Sequence, residues 1–84
     1  MYLHVGNNKN IRIKEIIGIF DTDNATVSTV TRRYLSEAEK RGEIEVVGYE
    51  IPKSFIVYIH KGKRTVCLSP LSSSSLLGRI SHNR

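Results

Sequence analysis

Residues 49–70 constrain the fold most, because they predict two neighbouring strands joined by a tight turn. Residues 54–60 are mainly β-branched and aromatic, and residues 65–69 form a second alternating run. Gly62 lies between the two runs and can adopt the positive φ that a tight hairpin turn requires. Both faces of the first strand carry apolar side chains, so we expect both faces to be covered.

The length of the chain limits how those two faces can be covered. Eighty-four residues form one small domain, which buries only about 60–65% of its extended surface. We place this domain at residues 1–78 and a flexible tail at residues 79–84. Because a small core gains stability from oligomerisation, we predict that Ile56 and Tyr58 form an interface with another copy of the chain.

The remaining segments predict an α+β fold. Apolar side chains recur at the helical period from about Ala25 to Arg41, and Gly42 follows as a helix-ending residue. Ser72 and the serines after it can begin a short C-terminal helix. We expect a small, mostly antiparallel sheet of five to six strands, packed by one long amphipathic helix, with a short C-terminal helix or a disordered tail. Besides the hairpin, the predicted strands are residues 1–5, 9–13, 15–20 and 43–48, with Gly18 expected at a bulge or a close backbone approach.

Positive charge is concentrated in the second part of the chain. Residues 1–52 contain seven lysines and arginines against eight acids, whereas residues 53–84 contain six lysines and arginines and no acid. This asymmetry favours a polyanionic partner, although a solvated surface that keeps a small protein soluble gives the same pattern. For a nucleic-acid partner, we expect contacts from the hairpin turn, the middle of the helix and two flanking lysines. These candidates are Lys61, Lys63, Arg64, Arg32, Arg33, Lys14 and Lys53.

Catalytic and metal-binding chemistry is not indicated. His4, His60 and His82 are far apart in sequence and belong to no metal-ligand motif. The chain contains no glycine-rich phosphate loop, and its carboxylates lie in helix and strand patterns typical of solvated faces. We therefore predict a protein that is not an enzyme and has no catalytic residue, metal, cofactor or small-molecule substrate.

The single cysteine and the hydropathy pattern indicate the compartment. Cys67 has no cysteine partner, so it suits a reducing compartment, and we interpret it as a buried core residue and not a nucleophile. No apolar run approaches the roughly 20 residues of a membrane span. The N-terminal residues 1–10 lack the pattern of a signal peptide. We expect a cytoplasmic protein without a membrane partner.

Five collinear segments resemble one known family. The segments are MYLHVG, KEIIGIFD, TRRYLSEAEKRGEI, PKSFIV and VCLSPLSSSSL. Together they resemble the RemA/RemB family of bacterial extracellular-matrix regulators, which control biofilm formation, and they are closest to the RemB branch. The resemblance covers roughly residues 1–77.

This resemblance implies a small cytoplasmic bacterial protein that acts on or near DNA. RemA-type relatives assemble into rings of identical subunits and activate matrix operons by binding duplex DNA. The resemblance therefore implies a homo-oligomeric transcriptional regulator of biofilm genes, with a ring as one form of the assembly. The alternative is a self-assembling interaction module that acts through a protein partner without binding DNA directly.

Two segments depart from the RemA pattern, at three positions. RemA-type sequences have an arginine pair where this chain has Ile51 and Pro52, and an arginine where this chain has Glu15. Either other cations, including Lys14 and Lys53, form the DNA surface, or the protein acts mainly through other proteins.

Overall fold

Six strands form two separate sheets, which corrects the prediction of one sheet with five to six strands. The fold is that of a computed structural model, which describes residues 1–22 and 29–82. Strands β1 and β2 form a hairpin, and the other four strands form the main sheet in the order β3-β5-β6-β4. The strands are β1 (Tyr2–Gly6), β2 (Lys9–Arg12), β3 (Ile16–Asp21), β4 (Ile44–Val46), β5 (Ser54–His60) and β6 (Lys63–Ser69).

The predicted hairpin is the centre of the main sheet. β5 and β6 pair antiparallel along their whole length, from Ser54 opposite Ser69 to His60 opposite Lys63. The turn is shorter than predicted and contains only Lys61 and Gly62, with φ values of 51° and 78°. Positive φ at both positions is typical of a type I′ turn, whose twist matches the twist of the flanking strands.

The two strands at the sheet edges pair in different ways. β3 pairs antiparallel with β5, and its register shifts between Ile16 and Gly18. The bulge predicted near Gly18 is confirmed, and a Cβ at Gly18 would lie 2.8 Å from ring carbons of Phe20. β4 pairs parallel with β6, so the sheet is mixed.

Two helices flank the strands, in place of one dominant helix. They are α1 (Thr29–Lys40) and α2 (Ser73–His82), and a 3₁₀ turn at Ile13–Glu15 precedes β3. The predicted helix start at Ala25 lies outside the described residues. Gly42 has a φ of 69° just beyond α1, as predicted for a helix-ending residue.

The C-terminal helix begins where the serines predicted it. The Ser75 backbone N–H donates to the Ser72 hydroxyl at 3.2 Å, which is an N-cap hydrogen bond. α2 continues past Gly78 and includes residues 79–82, which the sequence analysis placed in the tail. The flexibility of residues 79–84 stays a prediction. Within the described ranges, neither helix is long and apolar enough to span a bilayer.

Each face of the main sheet is covered by a different part of the same chain. On one face, Ala38 of α1 packs with Phe55, Val57 and Val66. On the other face, the β1–β2 hairpin and α2 cover Ile56, Tyr58 and Cys67. The covering side chains there are Leu3, Val5, Ile11 and Leu76.

Ile56 and Tyr58, the residues predicted to form an oligomer interface, are thus covered within a single chain. Ile56 is 0% exposed and Tyr58 is 7% exposed within a single chain. The prediction assumed that β1 and β2 belonged to the main sheet, but they fold across its face as a separate layer. The Ser69 hydroxyl fastens this layer by donating to the Val5 carbonyl at 2.6 Å.

Candidate nucleic-acid interface

Cations from three elements meet at the end of the main sheet that contains the β5–β6 turn. We call this region the basic end, and the turn forms its centre. Lys61 and Gly62 make the turn, and Lys63 and Arg64 begin β6 opposite His60 and Ile59. All three cations are exposed. The basic end consists of Lys14, Lys40, Arg41, Lys61, Lys63 and Arg64.

The 3₁₀ turn brings Lys14 to the basic end. Glu15, which follows Lys14, lies next to His60, with its Oε2 3.0 Å from the ring Nδ1. Ile16 then pairs with Tyr58, so β3 starts beside the end of β5. Lys14 thus lies near the β5–β6 turn, although 47 sequence positions separate Lys14 from Lys61.

The C-terminal end of α1 adds Lys40 and Arg41, which the sequence analysis did not include among the DNA contacts. The Glu43 carbonyl accepts a hydrogen bond from the Val66 N–H at 2.8 Å, so the chain after α1 enters the sheet beside the start of β6. The chain after α1 takes this position because β4 pairs parallel with β6. The short run at residues 43–48 predicts a strand but not its parallel pairing with β6. The position of Lys40 and Arg41 beside the start of β6 therefore could not be predicted.

Most of these cations are free of carboxylates. Among residues 1–22 and 29–82, no carboxylate lies within ion-pair distance of Lys14, Lys40, Lys61 or Lys63. Arg64 places its guanidinium 5.8 Å from the ring centroid of Tyr34 on α1, which orients it by a cation–π contact.

Two acids near the basic end are paired. Glu15 contacts His60, and Glu43 lies 3.2 Å from Arg41. Glu39, on the last turn of α1, is a third acid near this end. The six cations outnumber these acids, so the net charge at this end is positive, which is the condition for attracting a polyanion.

Three other predicted contacts are not brought to the basic end. The Lys53 N–H donates to the Ser69 carbonyl at 2.8 Å, which fixes Lys53 at the opposite end of the sheet. Eight residues of extended chain separate Lys53 from Lys61, a distance of roughly 26 Å. Arg32 and Arg33 are exposed on α1, about two turns before its end.

A polar network lies on the opposite face of the sheet from α1. Lys9 Nζ is 3.0 Å from Glu45 Oε1, and the Tyr58 hydroxyl donates to the same oxygen at 3.1 Å. Partial burial lowers the pKa of Lys9, but hydrogen bonds and charge from Glu45 and Tyr58 raise it overall. Burial, followed by the charge of Glu45, raises the pKa of Tyr58.

Cys67 is a buried core thiol, as predicted. Burial raises its pKa to about 12, and the nearby charge of Glu45 acts in the same direction. A thiol that is not ionised at neutral pH is a poor nucleophile. In the part of the chain that the structure describes, no three His, Cys, Asp or Glu side chains come together as a metal site.

Apolar side chains are exposed on both edges of the main sheet. Beside β3, a groove of about 310 Å³ is lined mainly by Ile17, Phe20, Tyr34 and Phe55. Ile17 is 59% exposed and Phe20 is 43% exposed, although the Phe20 ring stacks on Phe55 at 5.0 Å. We call this the β3 groove.

A second apolar surface lies on and after β4. It consists of Val46, Tyr49 and Ile51, of which Tyr49 is fully exposed and Ile51 is 86% exposed. We call this the β4 loop surface. Ile51 stands in the segment where the RemA pattern has an arginine pair.

Comparison with known proteins identifies one relative along nearly the whole chain. No protein-family model matches the sequence. The chain is 33% identical over 79 residues to extracellular matrix regulatory protein B of Bacillus subtilis strain 168, covering 94% of this chain and 89% of that protein. Identity of this extent indicates common descent and a shared fold. This chain therefore belongs to the family of extracellular matrix regulatory protein B.

Proposed function

We propose that this protein is a non-enzymatic, cytoplasmic transcriptional regulator of extracellular-matrix genes that binds duplex DNA as an assembly of identical subunits. The observation that carries the proposal is the basic end, where three elements contribute cations and two of the nearby acids are paired. The relative named as an extracellular matrix regulatory protein supports the regulatory role.

The dimensions of the basic end suit duplex DNA. The sheet is four strands wide, and neighbouring strands lie about 4.8 Å apart, so its end spans roughly 14 Å. The major groove is about 12 Å wide, so cations at the two sides of this end can reach phosphates across it. The carbonyl end of α1 alone would repel phosphate, and Lys40 and Arg41 offset that negative potential.

Assembly is supported by the two apolar surfaces on opposite edges of the main sheet. The β3 groove and the β4 loop surface differ in shape and residues, so contact between them on neighbouring copies is head-to-tail. Repeated contacts of this kind produce a ring or an open chain. Several basic ends on one assembly increase the apparent affinity for a single DNA.

Matched charge reversals at the two ends of the sheet test DNA binding. Lys61→Glu removes a cation from the basic end, whereas Lys53→Glu makes the same charge change at the opposite end. We expect Lys61→Glu to weaken binding about ten-fold or more at physiological salt, and Lys53→Glu to change it less than about three-fold. Fluorescence anisotropy with a labelled duplex measures both. Equal effects of the two variants would contradict a DNA contact at the basic end.

A second candidate function is a self-assembling module that acts through a protein partner and not through DNA. Its specific support is the exposure of Tyr49 and Ile51, in the segment where the resemblance to RemA-type sequences leads one to expect arginines. This candidate is favoured if the wild-type chain assembles in solution but forms no complex with duplex DNA at micromolar concentration and low salt.

A further inference from the structure

A second cleft lies between the β1–β2 hairpin and the His60 end of β5. It has a volume of about 170 Å³ and is separate from the β3 groove. The cations Lys9 and Arg12 line it, together with His60, Glu15 and the polar groups of Tyr2 and Asn10. We propose that this cleft, which we call the polar cleft, binds the phosphate group of a small organic phosphate monoester. Lys9, Arg12 and His60 are not among the proposed DNA contacts of the basic end.

Arg12 provides the main donor group of the polar cleft. Its Nε donates to the Tyr2 hydroxyl at 3.4 Å, and its guanidinium carbon lies 5.9 Å from the centre of the Tyr2 ring. Within residues 1–22 and 29–82, the two terminal nitrogens of Arg12 have no hydrogen-bond partner. A guanidinium held at Nε presents these terminal nitrogens as a fork that fits two phosphate oxygens.

Lys9 supplies a second charge that is already fixed in position. Its ammonium lies 3.0 and 3.1 Å from the two carboxylate oxygens of Glu45 and 5.8 Å from the centre of the Tyr58 ring. An ammonium has three N–H donors, so one remains for a ligand. Because Glu45 and Tyr58 hold Lys9 in place, little side-chain entropy is lost when the ligand binds.

His60 and Glu15 form the remaining wall. The His60 Nδ1 lies 3.0 Å from Glu15, so Nε2 is the ring nitrogen left for a ligand. Glu15 also lines the polar cleft, and Glu45 pairs with Lys9 beside it. The positive charge presented to a ligand therefore comes mainly from the Arg12 guanidinium, which has no carboxylate partner among the described residues.

The shape of this region favours a monoester over the backbone of DNA. A cavity of about 170 Å³ is large enough for a phosphate group, and a backbone diester carries one charge and a sugar on both sides, whereas a monoester carries more charge and has one substituent. A neighbouring cavity of about 330 Å³ shares Tyr2 and Arg12 and is also lined by Met1, Ile13 and Lys14. It offers room for the organic part of a monoester that has one substituent.

Amide NMR spectra of the full chain test this proposal at constant ionic strength. The probes are inorganic phosphate, glycerol 3-phosphate as a small monoester, and dimethyl phosphate as a diester that represents the DNA backbone. We expect saturable shifts at Asn10, Arg12 and His60 with a dissociation constant near or below about 1 mM for glycerol 3-phosphate. Dimethyl phosphate should bind at least about ten-fold more weakly, because it carries half the charge.

Two variants distinguish a built site from general attraction to positive charge. Arg12→Gln removes the free guanidinium fork and should weaken glycerol 3-phosphate binding by about ten-fold or more. Arg79→Gln is the matched control, because Arg79 is exposed on α2 and bonds the His4 carbonyl outside the polar cleft. Binding of glycerol 3-phosphate to the Arg79→Gln variant should be unchanged. Non-saturable shifts, equal binding of the diester, or equal effects of the two variants would overturn the proposal. Arg12 is exposed, so well-dispersed spectra are expected for the variant and verify its fold.

Discussion

Single residues show how far the sequence determines the core. Ile56, Tyr58 and Cys67 share one face of their strands, and the alternation at residues 54–60 predicts that this face needs a cover. Leu3, Val5 and Leu76 give only weak local patterns, so the sequence points to a second copy as the cover. Burial of this face by Leu3 and Val5, which lie about 50 positions away in sequence, depends on long-range packing, which a periodicity of two or 3.6 residues cannot reveal.

The thiol of Cys67 gives a prediction for the pH dependence of stability. Burial raises its pKa to about 12, above the ordinary value of about 8.5, so unfolding releases a proton at alkaline pH. The contribution of the thiol to stability is complete below about pH 8.5 and is lost as the pH rises toward 12, by up to about 1.4 kcal/mol per pH unit. Denaturant unfolding between these pH values measures the slope.

Cys67→Ala is the control for this slope. The variant is less stable at every pH because it loses buried contacts, but its stability should fall less steeply above pH 8.5 than that of the wild type. In the native wild type, a thiol reagent should label Cys67 only at the rate of unfolding. Fast labelling of the folded chain at neutral pH would contradict the burial of this residue.

At the scale of elements, the sequence predicts where strands lie better than it predicts which strands pair. The β5–β6 hairpin follows from alternation and a glycine turn, and its strand at residues 54–60 was predicted with the observed bounds. The run at residues 43–48 was predicted as a strand, but its parallel pairing with β6 depends on where α1 returns the chain. Lys61, Lys63 and Arg64 were thus predicted together, whereas Lys40 and Arg41 were missed and Lys53 was misplaced.

The two sheet edges give a prediction for assembly. Tyr49→Ser with Ile51→Ser removes apolar area from the exposed β4 loop surface, and Ile17→Ser removes it from the β3 groove. Because the proposed contact joins these two surfaces, either change should shift the chain toward the monomer. Sedimentation velocity at several protein concentrations measures this shift.

A matched control for assembly is Leu77→Ser on α2. Leu77 is 51% exposed and lies on neither of the two surfaces. Its substitution removes a similar apolar side chain and should leave the sedimentation profile unchanged. A wild-type chain that is monomeric at high concentration would contradict assembly through the sheet edges.

The whole molecule separates three kinds of surface in space. Cations collect at one end of the main sheet, apolar side chains are exposed along its two edges, and the polar cleft lies beneath the β1–β2 hairpin. The charge asymmetry between residues 1–52 and 53–84 predicted a basic surface but not its position, because Lys14 and Lys40 come from the part of the chain that is balanced overall.

The salt dependence of binding to duplex DNA tests the central proposal most directly. Arg41 pairs with Glu43, and the other five cations of the basic end have no carboxylate partner among the described residues. Each subunit is therefore expected to neutralise about five phosphates. Fluorescence anisotropy should then give a plot of log K against log salt with a slope of about −4.5 or steeper, and Lys61→Glu should reduce the slope by about one. A slope near zero, or no complex at micromolar protein and low salt, would contradict DNA binding by the basic end.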